Sequence, residues 1–308
     1  MSTENINELQ DRIVSNINTN PDLDARIERA LEIRKQMGIY GEGGQMDHGF
    51  YDPIQAQGIL EYCFGLAWGG PLLDLKTREI IVITALVCQQ LDGEVEWHVR
   101  SGLNLGLTRE EIVAVITHLT VYCGFPKANH GLRAAKRAFD IIDKENGVEP
   151  PAPYTGARKE AADAAGDRLM AHVDPHPDAK ERIQNALKTR QKMKIYGKGG
   201  QADDGLYKIA PHYTQALLEY GWGMIWSNPI LDMKTREIIC LAAFAAQQLV
   251  DEAEWHVRSS LNHGLTREEI NEVFVQCSPY IGFPKTNDML RAAMRAFNRL
   301  DKQDAQED

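Results

Sequence analysis

"GEVEWHVRSGLNLGLTREEI", residues 93–112, is written again as "DEAEWHVRSSLNHGLTREEI" at residues 251–270. Each copy keeps a glutamate four places before a histidine, Glu94 with His98 and Glu252 with His256. The match extends outward from these stretches at a constant offset of 158: Tyr62 with Tyr220, Trp68 with Trp226, Arg78 with Arg236, Pro126 with Pro284. Upstream the offset becomes 156, pairing QMGIYGEGGQ at 36–45 with KMKIYGKGGQ at 192–201. A period this long is not that of a solenoid, so the chain reads as a duplicated domain. The expected organisation is residues 1–143 for the first copy with an N-terminal helical extension, 144–166 for a linker rich in Pro, Gly and charge, and 167–308 for the second copy.

Within each copy the signals are helical. DLKTREIIVITALVCQQL, from Asp74, is a continuous apolar run of helical length, while GEVEWHVRSGLNLG is amphipathic with Gly106 placed to end it. Thr108 followed by Glu111, and Thr266 followed by Glu269, are capping-box patterns that start a third helix. That helix should end before Gly124, with Pro126 opening the next. No stretch shows the period-two alternation of a strand. The fold class is all-α, two tandem helical domains. The apolar faces of helices 77–91 and 235–249 are expected to bury against other chains, because one duplicated bundle offers them no second layer.

Apolar residues make up 43% of the 308 and charged residues 25%, an ordinary globular composition. A net charge of −10 argues against nucleic acid or an anionic membrane as the main partner, but leaves room for an anionic small molecule in a local basic pocket. MSTENINELQDRI carries neither a basic nor an apolar leader segment, and no apolar run reaches the roughly 20 residues of a membrane span. The five cysteines are odd in number and never spaced CxxC, so neither a disulfide framework, a zinc site nor a dithiol centre is expected, and a reducing cytoplasm fits.

Residues four apart share a helix face, which makes Glu94 a neighbour of His98 and Glu252 of His256. Glu79 and Glu237 stand inside apolar runs, where a carboxylate is costly to bury without a partner. An antiparallel pair of helices would bring His98 to Glu79 and His256 to Glu237. The spacing admits both a structural ion pair and an acid–base site, in which burial would raise the glutamate pKa into a useful range. Two carboxylates and a histidine can also ligate iron or zinc, but there is no HExxH and no recurring ExxH, so no metal is expected. Lys127 and Lys285, in the repeated GFPK, put a cation beside a helix start, where it can meet an anion. His118 has become Gln276 in the second copy and His130 has become Asp288, so neither histidine is common to both.

The two stretches from TREII to RAAKRAF and RAAMRAF resemble carboxymuconolactone decarboxylase domains. The shared elements are RE on a long helix, E-x-x-x-H, G-L-T-x-E-E-I and Y-x-G-x-P, all present in both copies. The alkylhydroperoxidase D-like branch of that family carries a CxxC dithiol where this chain has Leu91 and Glu94, or Leu249 and Glu252, so no thiol peroxidase of that kind is expected. The resemblance implies a cofactor-free lyase acting by Glu/His acid–base chemistry on an anionic ring-cleavage product of aromatic catabolism. It carries the polar site positions onto Glu79, Glu94, His98, Glu237, Glu252 and His256, with Arg78, Lys127, Arg236, Gln276 and Lys285 expected to bind the substrate. An isomerase or lactone hydrolase on a related unsaturated diacid, or a non-catalytic binding or scaffold protein, would use the same fold. The family often has Gln before Y-x-G-x-P, which only the second copy keeps, so that copy is expected to form the stronger site. Single-domain relatives form rings of six, which implies a homotrimer in pseudo-sixfold arrangement here.

Overall fold

The computed structural model describes residues 23–40, 52–148, 178–196 and 205–307. The N-terminal extension before residue 23, most of the expected 144–166 linker and the repeated GEGGQ and GKGGQ segments lie outside these residues. The described residues are helical throughout, with no strand among them, as the sequence predicts. The chain separates into two compact units, residues 1–70 and 71–308.

In the first unit, α1 (Leu23–Met37) packs on a π-helix, π1 (Ile59–Trp68), which continues the short α2 (Pro53–Gly58). Asp52 caps α2 by accepting from the Ile54 and Gln55 amides, with Pro53 at the first helical position. Gly65 lets α1 and π1 meet closely, since a Cβ there would come within 3.0 Å of the Arg26 carbonyl oxygen. The Arg34 guanidinium lies 3.8 Å over the Tyr40 ring.

The second unit holds the remaining helices. From the first copy these are α3 (Leu75–Gln89), α4 (Asp92–Asn104), α5 (Arg109–His118) and α6 (Thr120–Glu145). From the second they are α7 (Ala179–Lys192), α8 (Leu206–Ile209), α9 (Pro211–Ala216), π2 (Leu217–Trp226), α10 (Met233–Gln247), α11 (Val250–Asn262), α12 (Arg267–Ile281) and α13 (Phe283–Glu307). The α7–π2 pair repeats the design of α1 and π1, down to Arg190 lying 3.8 Å over Tyr196.

The central pair α3 and α10 is started by Asp74 and Asp232, which accept from the Thr77 and Thr235 amides, and is ended by left-handed Gln90 and Gln248. Every residue from 78 to 88 and from 236 to 246 is buried, because the two helices pack on each other. This corrects the expectation that helices 77–91 and 235–249 present apolar faces to other chains: each copy supplies the other's second layer. Leu73 and Ile81 of the first copy sit in one core cluster with Trp222, Phe244 and Phe274 of the second.

Both capping boxes form: Thr108 accepts from the Glu111 amide while Glu111 accepts from the Thr108 amide, and Thr266 and Glu269 repeat the arrangement. Thr108→Ala should cost about 1 kcal/mol, read as a lower denaturant midpoint at unchanged slope; no change in midpoint would refute it. The backbone breaks at Gly124, where a helix was expected to end, and again at the equivalent Gly282, at φ 82° and 85°, a left-handed region that favours glycine. Trp97 and Trp255, at equivalent positions on α4 and α11, remain exposed.

Candidate functional site

Glu79 lies in the second turn of α3 and is fully buried; α4 returns antiparallel and brings His98 to it. A carboxylate accepts only, so His98 Nδ1–H donates to Glu79 Oε1 at 2.6 Å, and Ser101 Oγ donates to Oε2 at 2.8 Å. The second copy builds the same triplet: His256 Nδ1 to Glu237 Oε2 at 2.9 Å and Ser259 Oγ to Oε1 at 2.6 Å. The Glu–His pairing follows from the sequence; the serines were missed. Their signal was a polar residue three places after each histidine, on the same helix face.

Each triplet is closed by the opposite copy. Tyr280 of α12 faces His98 edge-on at 5.7 Å, while Gln276 and Glu272 from the same helix accept from Arg78 at 2.8 and 2.6 Å. In return, Tyr122 of α6 faces His256 at 6.1 Å, and His118 of α5 accepts through Nδ1 from Arg236 at 3.0 Å. Phe244 lies 4.9 Å and Trp226 6.2 Å from the His256 ring, and Trp226 Nε1 donates to the Tyr122 hydroxyl at 2.9 Å. The sequence reading assigned Gln276 to the site of the copy that carries it. It lies instead against Arg78 of the first copy, and His118 lies against Arg236 of the second.

Burial would raise the Glu237 carboxyl, but the charge of His256 and hydrogen bonds from His256, His263 and Ser259 outweigh it and hold the carboxyl at about 2, against an ordinary 4.5. The sequence expectation of a pKa raised by burial therefore does not hold for Glu237, which is an ionised partner rather than a proton reservoir. His263 stands where the first copy has Leu105, and its Nδ1 lies 3.5 Å from Glu237 Oε1. Burial, reinforced by the Arg236 charge, draws His118 well below the ordinary imidazole value and keeps it neutral. Burial above all pushes the Tyr122 hydroxyl well up, so it stays protonated.

Because its folded pKa is depressed, Glu237 contributes stability that is complete above 4.5 and lost as pH falls toward 2. The stability gap between the wild type and Glu237→Gln should therefore narrow as pH falls through this window. Thermal melts showing a constant or widening gap would contradict it.

Arg78 and Arg236 differ in what they meet. Arg78 forms an ion pair with Glu272, whereas Arg236 donates to His118 and to the carbonyls of Ile225 and Asn228 and has no carboxylate partner among the described residues. The position matching Glu272 holds Ala114. A cavity of about 200 Å³ opens there, lined by Ala114, His118, Ile225, Ile230 and Arg236. In the first site the Gln276 amide nitrogen is buried without a hydrogen-bond partner.

Other expected residues lie elsewhere. Glu94 and Glu252 are exposed in the first turns of α4 and α11 and make no hydrogen bond to the histidines. Lys127 and Lys285 donate to the carbonyls of Cys88 and Ala246 at 2.7 and 2.8 Å. These are the far ends of α3 and α10, roughly 13 Å along the helix from the glutamates. The two lysines line a second cavity of about 510 Å³ with Gln89, Gln247, Leu91 and Leu249. Those are equivalent pairs, so the two copies line this cavity with matching residues. Among the described residues no group of His, Cys, Asp and Glu is arranged to hold a metal ion; around Glu237, both histidine Nδ1 atoms face the carboxylate. No helix among them is long and apolar enough to cross a membrane.

Over 120 residues the chain is 27% identical to a 4-carboxymuconolactone decarboxylase of Acinetobacter baylyi, which spans 39% of this chain and 90% of that protein. Over 130 residues it is also 27% identical to a nitrosuccinic acid decarboxylase of Metarhizium robertsii, spanning 41% of this chain and 91% of that protein. The carboxymuconolactone decarboxylase family pattern matches residues 56–137 and again 211–295. Together these spans exceed half the chain and enclose both Glu–His pairs, and on that ground the protein belongs to the carboxymuconolactone decarboxylase family.

Proposed function

We propose that the protein is a decarboxylase-type lyase acting on a small anionic, unsaturated or similarly activated carboxylic acid, with Glu237 and His256 as its principal site. One observation carries this reading. His256 is fixed to a buried, ionised glutamate through Nδ1, its Nε2 makes no hydrogen bond among the described residues, and Arg236 nearby lacks a carboxylate partner.

In this mechanism Arg236 holds a substrate carboxylate. Loss of CO₂ leaves an electron pair on the adjoining conjugated carbon, and His256 Nε2 delivers a proton there as general acid. Glu237 stays charged throughout and, by accepting from Nδ1, orients the imidazole with Nε2 toward the substrate. Tyr122, held in its protonated form, can donate to oxygen on the substrate. Glu79, His98 and Tyr280 make a second site whose arginine is already neutralised by Glu272.

The test is to incubate the protein with 4-carboxymuconolactone and with nitrosuccinate while following ultraviolet absorbance and CO₂. Release of CO₂ from either supports the proposal. Spectral change without CO₂ would favour the isomerase or hydrolase reading, and no change across a set of related diacids would favour a binding protein. The chemistry as proposed needs no cofactor, so turnover is expected to survive EDTA; loss that one added metal restores would overturn that part.

For assembly we propose a cytoplasmic homotrimer, in which the exposed, equivalent Trp97 and Trp255 provide repeated apolar contact. A monomer by light scattering at micromolar concentration would overturn it.

A further inference from the structure

Lys127 and Lys285 stand at the opposite ends of α3 and α10 from Glu79 and Glu237, and their own surroundings call for an anion. Each lysine follows a glycine break, at Gly124 or Gly282, by three residues. Each then sets its ammonium on a carbonyl in the last turn of its own copy's central helix, Cys88 for Lys127 and Ala246 for Lys285. Both lysines line one cavity of about 510 Å³, inside the range of about 300–1,000 Å³ usual for small-molecule sites.

An ammonium carries three N–H donors. Each lysine uses one on its carbonyl, at 2.7 and 2.8 Å, and meets no other acceptor among the described residues. The carbonyl end of a helix carries only about half a negative charge, so in each copy a whole positive charge faces half a negative one. No carboxylate makes up the difference, for none is among the residues lining the cavity. Asp92, beside Leu91 in the chain, turns to His130 at 3.1 Å, and Asp288, one turn past Lys285, turns to Gln248 and Arg291 at 3.1 Å each. Asp251 lines a different cleft, with Trp255 and Arg258. The other walls are uncharged: Leu91 and Leu249, both exposed, and Gln89 and Gln247, whose amides donate back to the Ala85 and Ala243 carbonyls.

We propose that this cavity binds a small dicarboxylate, with one carboxylate on each ammonium and the carbon chain along Leu91 and Leu249. Two cations anchored on different helices suit a ligand with two separated anionic ends rather than one compact anion, and the matching walls suit ends that are alike. Their carbonyl bonds hold the lysines in place beforehand, so little side-chain freedom is lost on binding. The site is separate from Arg236 and stands whether or not the chain is a decarboxylase.

The experiment labels the lysines of the full chain with acetic anhydride, with and without succinate, and follows each by peptide mass spectrometry. Lys136, whose side chain is 73% exposed, is the internal control. At a succinate concentration roughly ten times that giving half protection, Lys127 and Lys285 should both react roughly tenfold more slowly, with Lys136 unchanged. Acetate and inorganic phosphate at the same concentration should protect both far less. In Lys127→Gln with unchanged circular dichroism, half protection of Lys285 should need on the order of tenfold more succinate, the worth of one hydrogen bond to a charged group. The wild-type comparison decides the matter even where the variant does not fold. No protection, protection of one lysine alone, equal slowing of Lys136, or acetate or phosphate acting as well as succinate would each overturn the proposal. So would protection of Lys285 that is undiminished in Lys127→Gln.

Discussion

Replacing His98 and His256 together by alanine should lower turnover by on the order of 10²–10⁴-fold, the usual cost of removing a general acid. His256→Ala alone should account for most of that loss, and His98→Ala for at most about half of the wild-type rate. The ranking rests on the arginines. Both arginines are buried, but Arg236 borders a cavity beside a neutral His118, whereas Arg78 is tied to Glu272 at 2.6 Å. An anionic substrate therefore meets an available cation in the second site and an already compensated one in the first. Glu237→Gln should mimic His256→Ala with the fold intact, since the amide retains the shape of the carboxylate but not its charge. An inactivating His98→Ala with a silent His256→Ala would place the chemistry in the first site and end this ranking.

Arg78→Met should lower the unfolding free energy by about 3–5 kcal/mol, the range found when one member of a buried ion pair is removed. Arg78 donates to the Leu73 carbonyl, to Gln276 and to Glu272. Methionine fills much of the space of its stem but leaves the Gln276 oxygen and the Glu272 carboxylate without their donor. Two of those three bonds join the copies, so the loss should appear as one cooperative shift in denaturant midpoint. Adding Glu272→Leu to Arg78→Met should recover part of the stability, because the stranded charge is then gone. A loss below about 1 kcal/mol for Arg78→Met, or no recovery in the double variant, would show that the pair does not hold the copies together.

The repeat, the helices and the Glu–His pairing were legible because each is written locally. The capping boxes and Gly124 mark helix ends, and a lone glutamate in an apolar helix demands a partner that the next helix can supply. Glu94 misled because its four-residue spacing fixes a helix face but not a depth: α4 begins at Asp92, which leaves Glu94 at the solvent end. Gln276 misled for a different reason. Arg78 and Gln276 are 198 positions apart, and no periodicity within either copy records which of the two triplets an α12 residue will reach. The same holds for Tyr122 and Tyr280, which depend on how the copies dock. His263 was hidden because nothing at position 105 repeats it. That α3 and α10 are buried was expected, but what covers them was not, because it requires knowing that each is the other's cover.

The cross-closure of the two triplets has a genetic consequence. Where two identical short chains complete each other's sites, a single codon change alters both sites at once, and any gain in one is imposed on its twin. Here the contributions are encoded at separate loci of one reading frame. His118 against Gln276, Ala114 against Glu272 and Leu105 against His263 are differences that identical chains could not hold, and each changes the walls of one site while leaving the other untouched. The fused chain can thus vary one catalytic environment by mutation while the other keeps its ancestral composition, with both still sharing a single core.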